Sequence, residues 1–145
     1  MAGEEVSLLA VHAPSAALDM VSVHEKAASA AYAHIFADPF PRADAFARWS
    51  SHRGPAVLAV AGGATVGFAA AEHHLLEALY VLPSHAGRGI GSALLAAVGP
   101  VNRLWVLEQN TQARAFYERR HWRWSGESRA GLDTGGITEL RYVLD

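Results

Sequence analysis

Apolar residues in the first third of the chain form one short run and then recur at helical spacing. Residues 6–11 are rich in valine and leucine and predict a strand, which ends at Pro14-Ser15, where a helix begins. Residues 15–37 predict one amphipathic helix, and a second, shorter helix is predicted over residues 44–49, after two prolines interrupt the first. The apolar positions of the first helix are Leu18, Val21, Ala28, Tyr32, Ile35 and Phe36.

Three apolar runs of β type follow in the middle of the chain. Residues 56–61 and 65–71 are joined by Gly62-Gly63, a two-residue signal that predicts an antiparallel hairpin. Residues 75–82 form the third run, in which Glu77 is the only charge, and Pro83 ends it. Helical periodicity over residues 89–98 comes directly after, so a strand leads into a helix through glycines.

The last third repeats the step from strand to helix and closes with two strands. Residues 104–107 are apolar on both faces, as a central strand is, and residues 111–120 predict a helix. Residues 122–130 and 137–144 predict two further strands. The order βααβββαβαββ predicts an α+β fold with a mixed β-sheet flanked by helices, and the length of 145 residues predicts one domain over residues 1–145.

Composition narrows the class of protein. Hydrophobic residues make up 51% and charged residues 18%, which predicts a packed globular protein, and the net charge of -2 favours neither nucleic acid nor an anionic membrane as partner. The chain has no cysteine, so disulfides, thiolate ligands and a cysteine nucleophile are excluded. The acidic N-terminus and the lack of an apolar run near the roughly 20 residues that span a bilayer predict a cytoplasmic location.

The eight histidines do not form a metal-binding pattern. His73 and His74 are predicted to point to opposite faces of a strand, and the sequence has no helical pair with His-x-x-x-His spacing. We therefore predict no metal site. Trp122 and Trp124 alternate with Arg123, a pattern that a strand with one apolar face produces, so we interpret it as sheet packing and not as a base-stacking surface.

A glycine-rich segment between a predicted strand and a predicted helix is the strongest chemical signal. Residues 87–91 read Gly-Arg-Gly-Ile-Gly, and glycines let a phosphate approach the unpaired N–H groups of the first helical turn. The segment lacks the Gly-Lys-Ser/Thr ending of a P-loop, and Ser92 stands where a dinucleotide fingerprint needs glycine or alanine. A pyrophosphate site is predicted, and a phosphate-binding domain that prefers a dinucleotide is one alternative.

Two ordered motifs resemble the GNAT family of acetyl-CoA-dependent N-acetyltransferases. Residues 81–91 read Val-Leu-Pro-Ser-His-Ala-Gly-Arg-Gly-Ile-Gly, similar to the family's Val-x-Pro followed by Arg/Gln-x-x-Gly-x-Gly/Ala. Residues 110–117 read Asn-Thr-Gln-Ala-Arg-Ala-Phe-Tyr, similar to the family's Asn-x-x-Ala-x-x-Phe-Tyr. The family usually has Arg or Gln where this chain has Ala86, and Gly-Phe where it has His121-Trp122, a difference expected to be local to a turn.

The resemblance implies an enzyme that moves an acetyl group from acetyl-CoA to an amine of a small molecule or peptide by direct attack, without an acyl-enzyme. The pantetheine arm would lie between splayed strands over residues 75–82 and 104–107, with Arg88 as the cation that remains near the phosphates. A catalytically silent module that binds acyl-CoA is the alternative. The implied coenzyme-binding residues are Leu79, Val81, Ala86, Gly87, Arg88, Gly89, Ile90, Gly91, Ser92, Asn110 and Phe116.

Tyr117 and Glu77 are the candidate catalytic residues. The resemblance makes Tyr117 the general acid that protonates the coenzyme A thiolate, and a packed helical aromatic is the alternative. Glu77 is the best candidate for the base because burial in an apolar strand would strengthen its proton affinity; a solvated face or an arginine partner is the alternative, and Glu72 and His74 are poorer candidates. For Asn110, a bond to the coenzyme and an N-cap are both open.

The sequence does not identify the acceptor amine. In the family, the segments that select the acceptor correspond here to residues 38–44 and 131–136, and Phe40, Arg42 and Asp133 are candidates for lining the rim. The resemblance also implies that a homodimer can form through residues 122–142.

Overall fold

A computed structural model describes residues 4–32, 39–131 and 136–145. The elements follow the predicted order βααβββαβαββ, and the α+β class is confirmed. The strands are β1 Val6–Val11, β2 Ala56–Ala61, β3 Ala64–Glu72, β4 Leu75–Val81, β5 Arg103–Leu107, β6 Trp122–Ala130 and β7 Thr138–Leu144. The helices are α1 Ala13–Tyr32, α2 Arg42–Ser50, α3 Ile90–Ala97 and α4 Thr111–Glu118, with a short 3-10 turn at Pro83–His85.

The seven strands form one mixed sheet in the order β1-β2-β3-β4-β5-β7-β6. The pairing of β4 with β5 is parallel and the others are antiparallel. The parallel pair follows from the crossover through α3, because two parallel neighbours cannot be joined by a tight turn.

Two hairpins with two-residue turns build the antiparallel half. Gly62 and Gly63 have φ of 58° and 77°, as the predicted tight turn requires. His73 and His74 connect β3 to β4 in the same way, with φ of 51° and 65°. The prediction that these histidines point to opposite faces of a strand is therefore wrong, because both lie in a turn with left-handed backbone.

Helix α1 begins two residues earlier than predicted, because Pro14 is tolerated in a first turn, where its missing N–H has no intrahelical acceptor. Alanines make up much of its buried side and let the helix lie close to the sheet. The buried residues are Ala13, Ala16, Ala17, Met20, Val21, Val23 and Ala27. Leu18 is 68% exposed, so its assignment to the apolar face is wrong. Two more of the predicted apolar positions, 35 and 36, lie outside the described residues.

The helices cover the two faces of the sheet in pairs. On one face, Leu76, Leu94, Leu104 and Tyr117 belong to a core that α3 and α4 close. On the other face, α1 and α2 enclose a second core around Trp49. Within the described residues, no helix is long and apolar enough to cross a membrane.

Candidate active site

The parallel strands β4 and β5 part after two residue pairs. Leu75 pairs with Arg103 and Leu76 pairs with Leu104, and no later pair joins the two strands in the described part of the chain. Because β4 pairs with β3 and β5 pairs with β7 on their other sides, each strand keeps one open edge toward the gap. The strands therefore splay as predicted, and the gap has its apex at Glu77.

Glu77 is the extra residue of a β-bulge in β4. Ala70 pairs with Ala78, but Ala71 pairs with Leu76, so Glu77 has no counterpart on β3. Beyond the bulge Ala78 faces the α1/α2 core, whereas Leu76 faces the α3/α4 core. Glu77 alternates with Leu76 and so faces α1 and α2, and the bulge places Ala78 on that same face.

On that face Glu77 forms an ion pair with Arg48 of α2. The Arg48 Nη2 atom lies 3.2 Å from Glu77 Oε2 and donates a second hydrogen bond of 3.1 Å to the Glu77 backbone oxygen. The arginine partner, one of the alternatives that the sequence leaves open, is what the structure shows. The Glu77 side chain is 28% exposed, so the expectation of a carboxylate isolated in an apolar strand is wrong.

The glycine-rich segment forms an open loop at the start of α3. Gly87 and Gly89 have φ of 75° and 81°, which non-glycine residues rarely adopt, and Gly89 is the residue that caps α3. A Cβ added to either glycine would meet nothing within 4 Å. The first turn of α3 therefore faces open space, as an anion site needs. Ala86 and Arg88 are also exposed in this loop.

A close contact brings the two sequence motifs together. A Cβ on Gly91 would lie 3.3 Å from a ring carbon of Phe116 and 3.9 Å from a methyl carbon of Val81. Because a Cβ there would press on the Phe116 ring, glycine lets α3 pack closely between the end of β4 and α4. Val81, Gly91 and Phe116 thus meet beside the gap.

Arg120 also contacts the first turn of α3, and the sequence analysis missed it. Its Nε donates a 3.0 Å hydrogen bond to the Ser92 hydroxyl, its Nη1 donates one of 2.8 Å to the Phe116 carbonyl, and its guanidinium lies 3.6 Å from the Phe116 ring centre. The signal was the i,i+4 spacing of Phe116 and Arg120, which places a cation over a ring on a helix. A half-buried positive charge therefore stands beside the loop in which Ala86 replaces the usual cation or amide.

Helix α4 is anchored at its start and at its side. The Asn110 side chain accepts a 3.1 Å hydrogen bond from the Ala113 N–H, so the N-cap is present. Arg114 Nε donates a 3.0 Å bond to the Tyr142 hydroxyl of β7, and that hydroxyl donates to Glu118. Burial raises the pKa of the Tyr142 phenol, and the bond from Arg114 opposes the rise.

Tyr117 lies in the α3/α4 core with 8% of its surface exposed. Its ring meets those of Phe116 and Trp122 edge to face, at centroid distances of 5.2 Å and 5.9 Å. Tyr117 is therefore packed in the core, and its role as the general acid stays a prediction. At the turn that follows, His121 has φ of 71°, which explains why glycine is usual there.

An aromatic cluster occupies the α1/α2 face next to Arg48. The His24 ring stacks on Tyr80 at 4.6 Å, meets Phe40 at 4.9 Å, and accepts a 3.2 Å hydrogen bond from Trp49 Nε1 at Nδ1. Burial, with a smaller effect of Arg48, lowers the pKa of His24 to about 4. His24 is consequently neutral at pH 7.

The predicted rim residues divide between these surroundings. Phe40 joins the aromatic cluster, whereas Arg42 pairs with Glu25 at 2.6 Å on the surface. Asp133 lies outside the described residues. Across residues 4–32, 39–131 and 136–145, no three His, Cys, Asp or Glu side chains are grouped so that they could hold a metal ion.

Comparison with known proteins identifies this architecture. Residues 52–123, about half of the chain, match the family model described as acetyltransferase (GNAT) domain. The apo form of YjaB from Escherichia coli is similar with a TM-score of 0.76 and 21% identity, covering 96% of this chain and 97% of that chain. A GCN5-related N-acetyltransferase from Rhodopseudomonas palustris has a TM-score of 0.75 and 19% identity, with coverage of 100% and 98%.

A third similar structure is the PaiA N-acetyltransferase of Thermoplasma acidophilum in complex with coenzyme A, with a TM-score of 0.67 and 16% identity, covering 93% of this chain and 98% of that chain. No curated protein sequence gives a significant match. At these identities the structures establish the fold, and the family model names it. The chain belongs to the GNAT acetyltransferase family.

Proposed function

We propose that the chain is a single N-acetyltransferase domain that transfers the acetyl group of acetyl-CoA to an amine by direct attack in a ternary complex. The observation that carries the proposal is the gap between β4 and β5, which opens at Glu77 and ends beside the glycine loop. Unpaired strand edges can bond an amide-containing arm as an added strand. The PaiA structure, which holds coenzyme A, supports the same assignment.

The residues beside the gap fit the coenzyme along its length. The pantetheine arm would bond the backbone of β4 near Leu79 and Val81, which line the α3/α4 side of the gap. The pyrophosphate would lie on the N–H groups of Ile90, Gly91 and Ser92, where the loop glycines leave open space. Arg88 and Arg120 would supply positive charge, so that the coenzyme site does not depend on a cation at position 86.

Acetyl-CoA supplies an activated acyl carbonyl when bound, and the acceptor nitrogen attacks it as the carbon–sulfur bond breaks. Tyr117 donates its phenolic proton to the departing thiolate, and the second proton, which the nitrogen loses as the amide forms, restores the phenol through solvent. Glu77 receives the proton that the ammonium group must lose before attack. Its place at the apex of the gap, with part of its side chain exposed, supports this role. Backbone N–H groups near Val81 stabilise the oxyanion.

The test of this function is the release of free thiol when the protein is mixed with acetyl-CoA and a panel of primary amines. We expect Tyr117→Phe to lower kcat by about 100-fold or more, since general acid catalysis contributes that much, while the Kd for acetyl-CoA stays unchanged. Phenylalanine keeps the ring contacts with Phe116 and Trp122, so folding is matched.

A silent acyl-CoA-binding module is the second candidate, favoured by Ala86 in the exposed loop. Such a module would bind acetyl-CoA and release no thiol with any amine. Equal turnover by the wild type and Tyr117→Phe would remove Tyr117 from the mechanism and leave the acetyl transfer in place.

A further inference from the structure

Two opposite charges stand side by side where β4 and β5 part. Glu77 directly follows the last β4 residue that pairs with β5, and Arg48 reaches it from α2. The Arg48 side chain is 37% exposed and the Glu77 side chain is 28% exposed, so a solute can reach both. An ion pair this exposed contributes little to stability, so exchanging it for contacts with a ligand costs little.

Arg48 has unused capacity to bind a carboxylate. Both of its hydrogen bonds to Glu77 start from Nη2, and its guanidinium lies 4.4 Å from the ring centre of Trp49. The planar fork of an arginine carries five N–H groups, so the other N–H groups remain for a ligand in the part of the chain that the structure describes. Stacking on Trp49 holds the guanidinium in place.

The surroundings of the pair are apolar and aromatic. His24, Phe40 and Tyr80 form a stacked group beside Arg48, and His24 carries no charge at pH 7. Across the gap, Trp105 of β5 points to the same face, since its neighbours Leu104 and Val106 belong to the opposite core. A ligand held by Arg48 and Glu77 would thus place its remaining part among aromatic rings.

The bulge links this pair to the reacting end of the coenzyme. Glu77 alternates with Leu76 and so faces α2, and as the extra residue of the bulge it has no counterpart on β3 and stands at the apex of the gap. A pantetheine arm that enters along the open edges ends at this apex, so the acceptor nitrogen must arrive at Glu77.

We propose that the acceptor is a zwitterion, a small amine that carries a carboxylate on the same or the next carbon, of which α-amino acids with apolar side chains are the type. The proposal rests on the proposed acetyl transfer and names its substrate class. The acceptor's ammonium group binds Glu77 and its carboxylate binds Arg48, so the acceptor exchanges the internal ion pair for two of its own. Glu77 then takes the proton, and the neutral nitrogen attacks.

The experiment compares matched acceptors after acetyl-CoA binding has been measured by calorimetry. The probes are L-leucine, L-leucinamide and isopentylamine, and L-phenylalanine, L-phenylalaninamide and 2-phenylethylamine. We expect each amino acid to have a kcat/KM about 10- to 100-fold above those of its amide and its amine, as one charge-assisted contact allows. Arg48→Gln should raise KM for the amino acids and so abolish their advantage over the matching amides and amines, because only the amino acids have a carboxylate for Arg48 to bind.

Arg123→Gln is the matched control, because Arg123 pairs with Asp145 on the exposed surface at 3.0 Å and should leave all six rates unchanged. If acetyl-CoA binds but the amide or amine of a set is acetylated as well as its amino acid, or none of the six is acetylated, the zwitterion proposal is overturned. If acetyl-CoA does not bind, the proposed function itself fails. The wild-type comparison decides the matter even where Arg48→Gln does not fold.

Discussion

The buried imidazole of His24 should make the stability of the protein depend on pH. His24 lies against Phe40, Trp49 and Tyr80 and near Arg48, so a proton on its ring would be poorly solvated and close to a cation. The pKa of His24 falls from 6.5 to about 4 in the folded chain. Each unit corresponds to roughly 1.4 kcal/mol, so the neutral ring contributes about 3 kcal/mol of pH-dependent stability.

The sign follows from the lowered pKa. The unfolded chain takes up the His24 proton near pH 6.5, whereas the folded chain takes it up only near pH 4. The contribution is therefore fully present above about pH 6.5 and is lost progressively as the pH falls toward 4. Carboxylates also titrate at the acid end of this range, so the wild type alone does not isolate the effect.

The contribution of His24 is measured by urea unfolding of the wild type and of His24→Gln, followed by tryptophan fluorescence at half-unit steps from pH 8 to pH 4. Glutamine keeps an acceptor for the Trp49 N–H and does not titrate. We expect the free energy of unfolding of the wild type, relative to that of His24→Gln, to be constant from pH 8 to 7 and to fall by about 3 kcal/mol at pH 4. Exposed His12 provides the control, as His12→Gln should leave the pH dependence unchanged. If the free energy of unfolding has the same pH dependence in the wild type and in His24→Gln, His24 does not contribute to it.

Two further predictions concern the start of α4 and the contact of Arg120 with α3. Asn110→Ala should lower the free energy of unfolding by about 1 kcal/mol because the N–H of Ala113 loses its acceptor, and Asn110→Ser should restore most of it; a loss of acetyl-CoA affinity in both variants would instead assign Asn110 to the coenzyme. Arg120→Leu removes the charge that is bonded to Ser92, and it should weaken acetyl-CoA binding about tenfold in calorimetry. Arg119→Leu, at an exposed position, is the control. Equal affinities of the wild type and Arg120→Leu would contradict a role for that charge.

The sequence predicts the element order because apolar runs and their glycine and proline boundaries are local signals. The strands at residues 56–61 and 122–130 have the predicted bounds, and the turn at Gly62-Gly63 has the predicted backbone. The glycine-rich loop over residues 87–91 was equally accessible, since its glycines stand between a strand and a helix. These features require only a few neighbouring residues to specify them.

Features that depend on distant partners were not predictable. The apolar pattern of α1 favoured Leu18 as a core residue, but the sheet selects the alanine-rich side because small residues let the helix approach closely. The bulge at Glu77 is visible only in the pairing of β3 with β4, and Arg48, the ion-pair partner of Glu77, stands 29 residues earlier. Arg120 reaches Ser92 only because the end of α4 lies beside the start of α3, and that packing depends on distant parts of the chain.

The central claim, that the gap between β4 and β5 binds an acetylated coenzyme, is tested most directly by isothermal titration of acetyl-CoA into the purified protein, with NAD as the control. We expect saturable binding of one acetyl-CoA per chain and no binding of NAD. Absence of acetyl-CoA binding, or tighter binding of NAD, would contradict it.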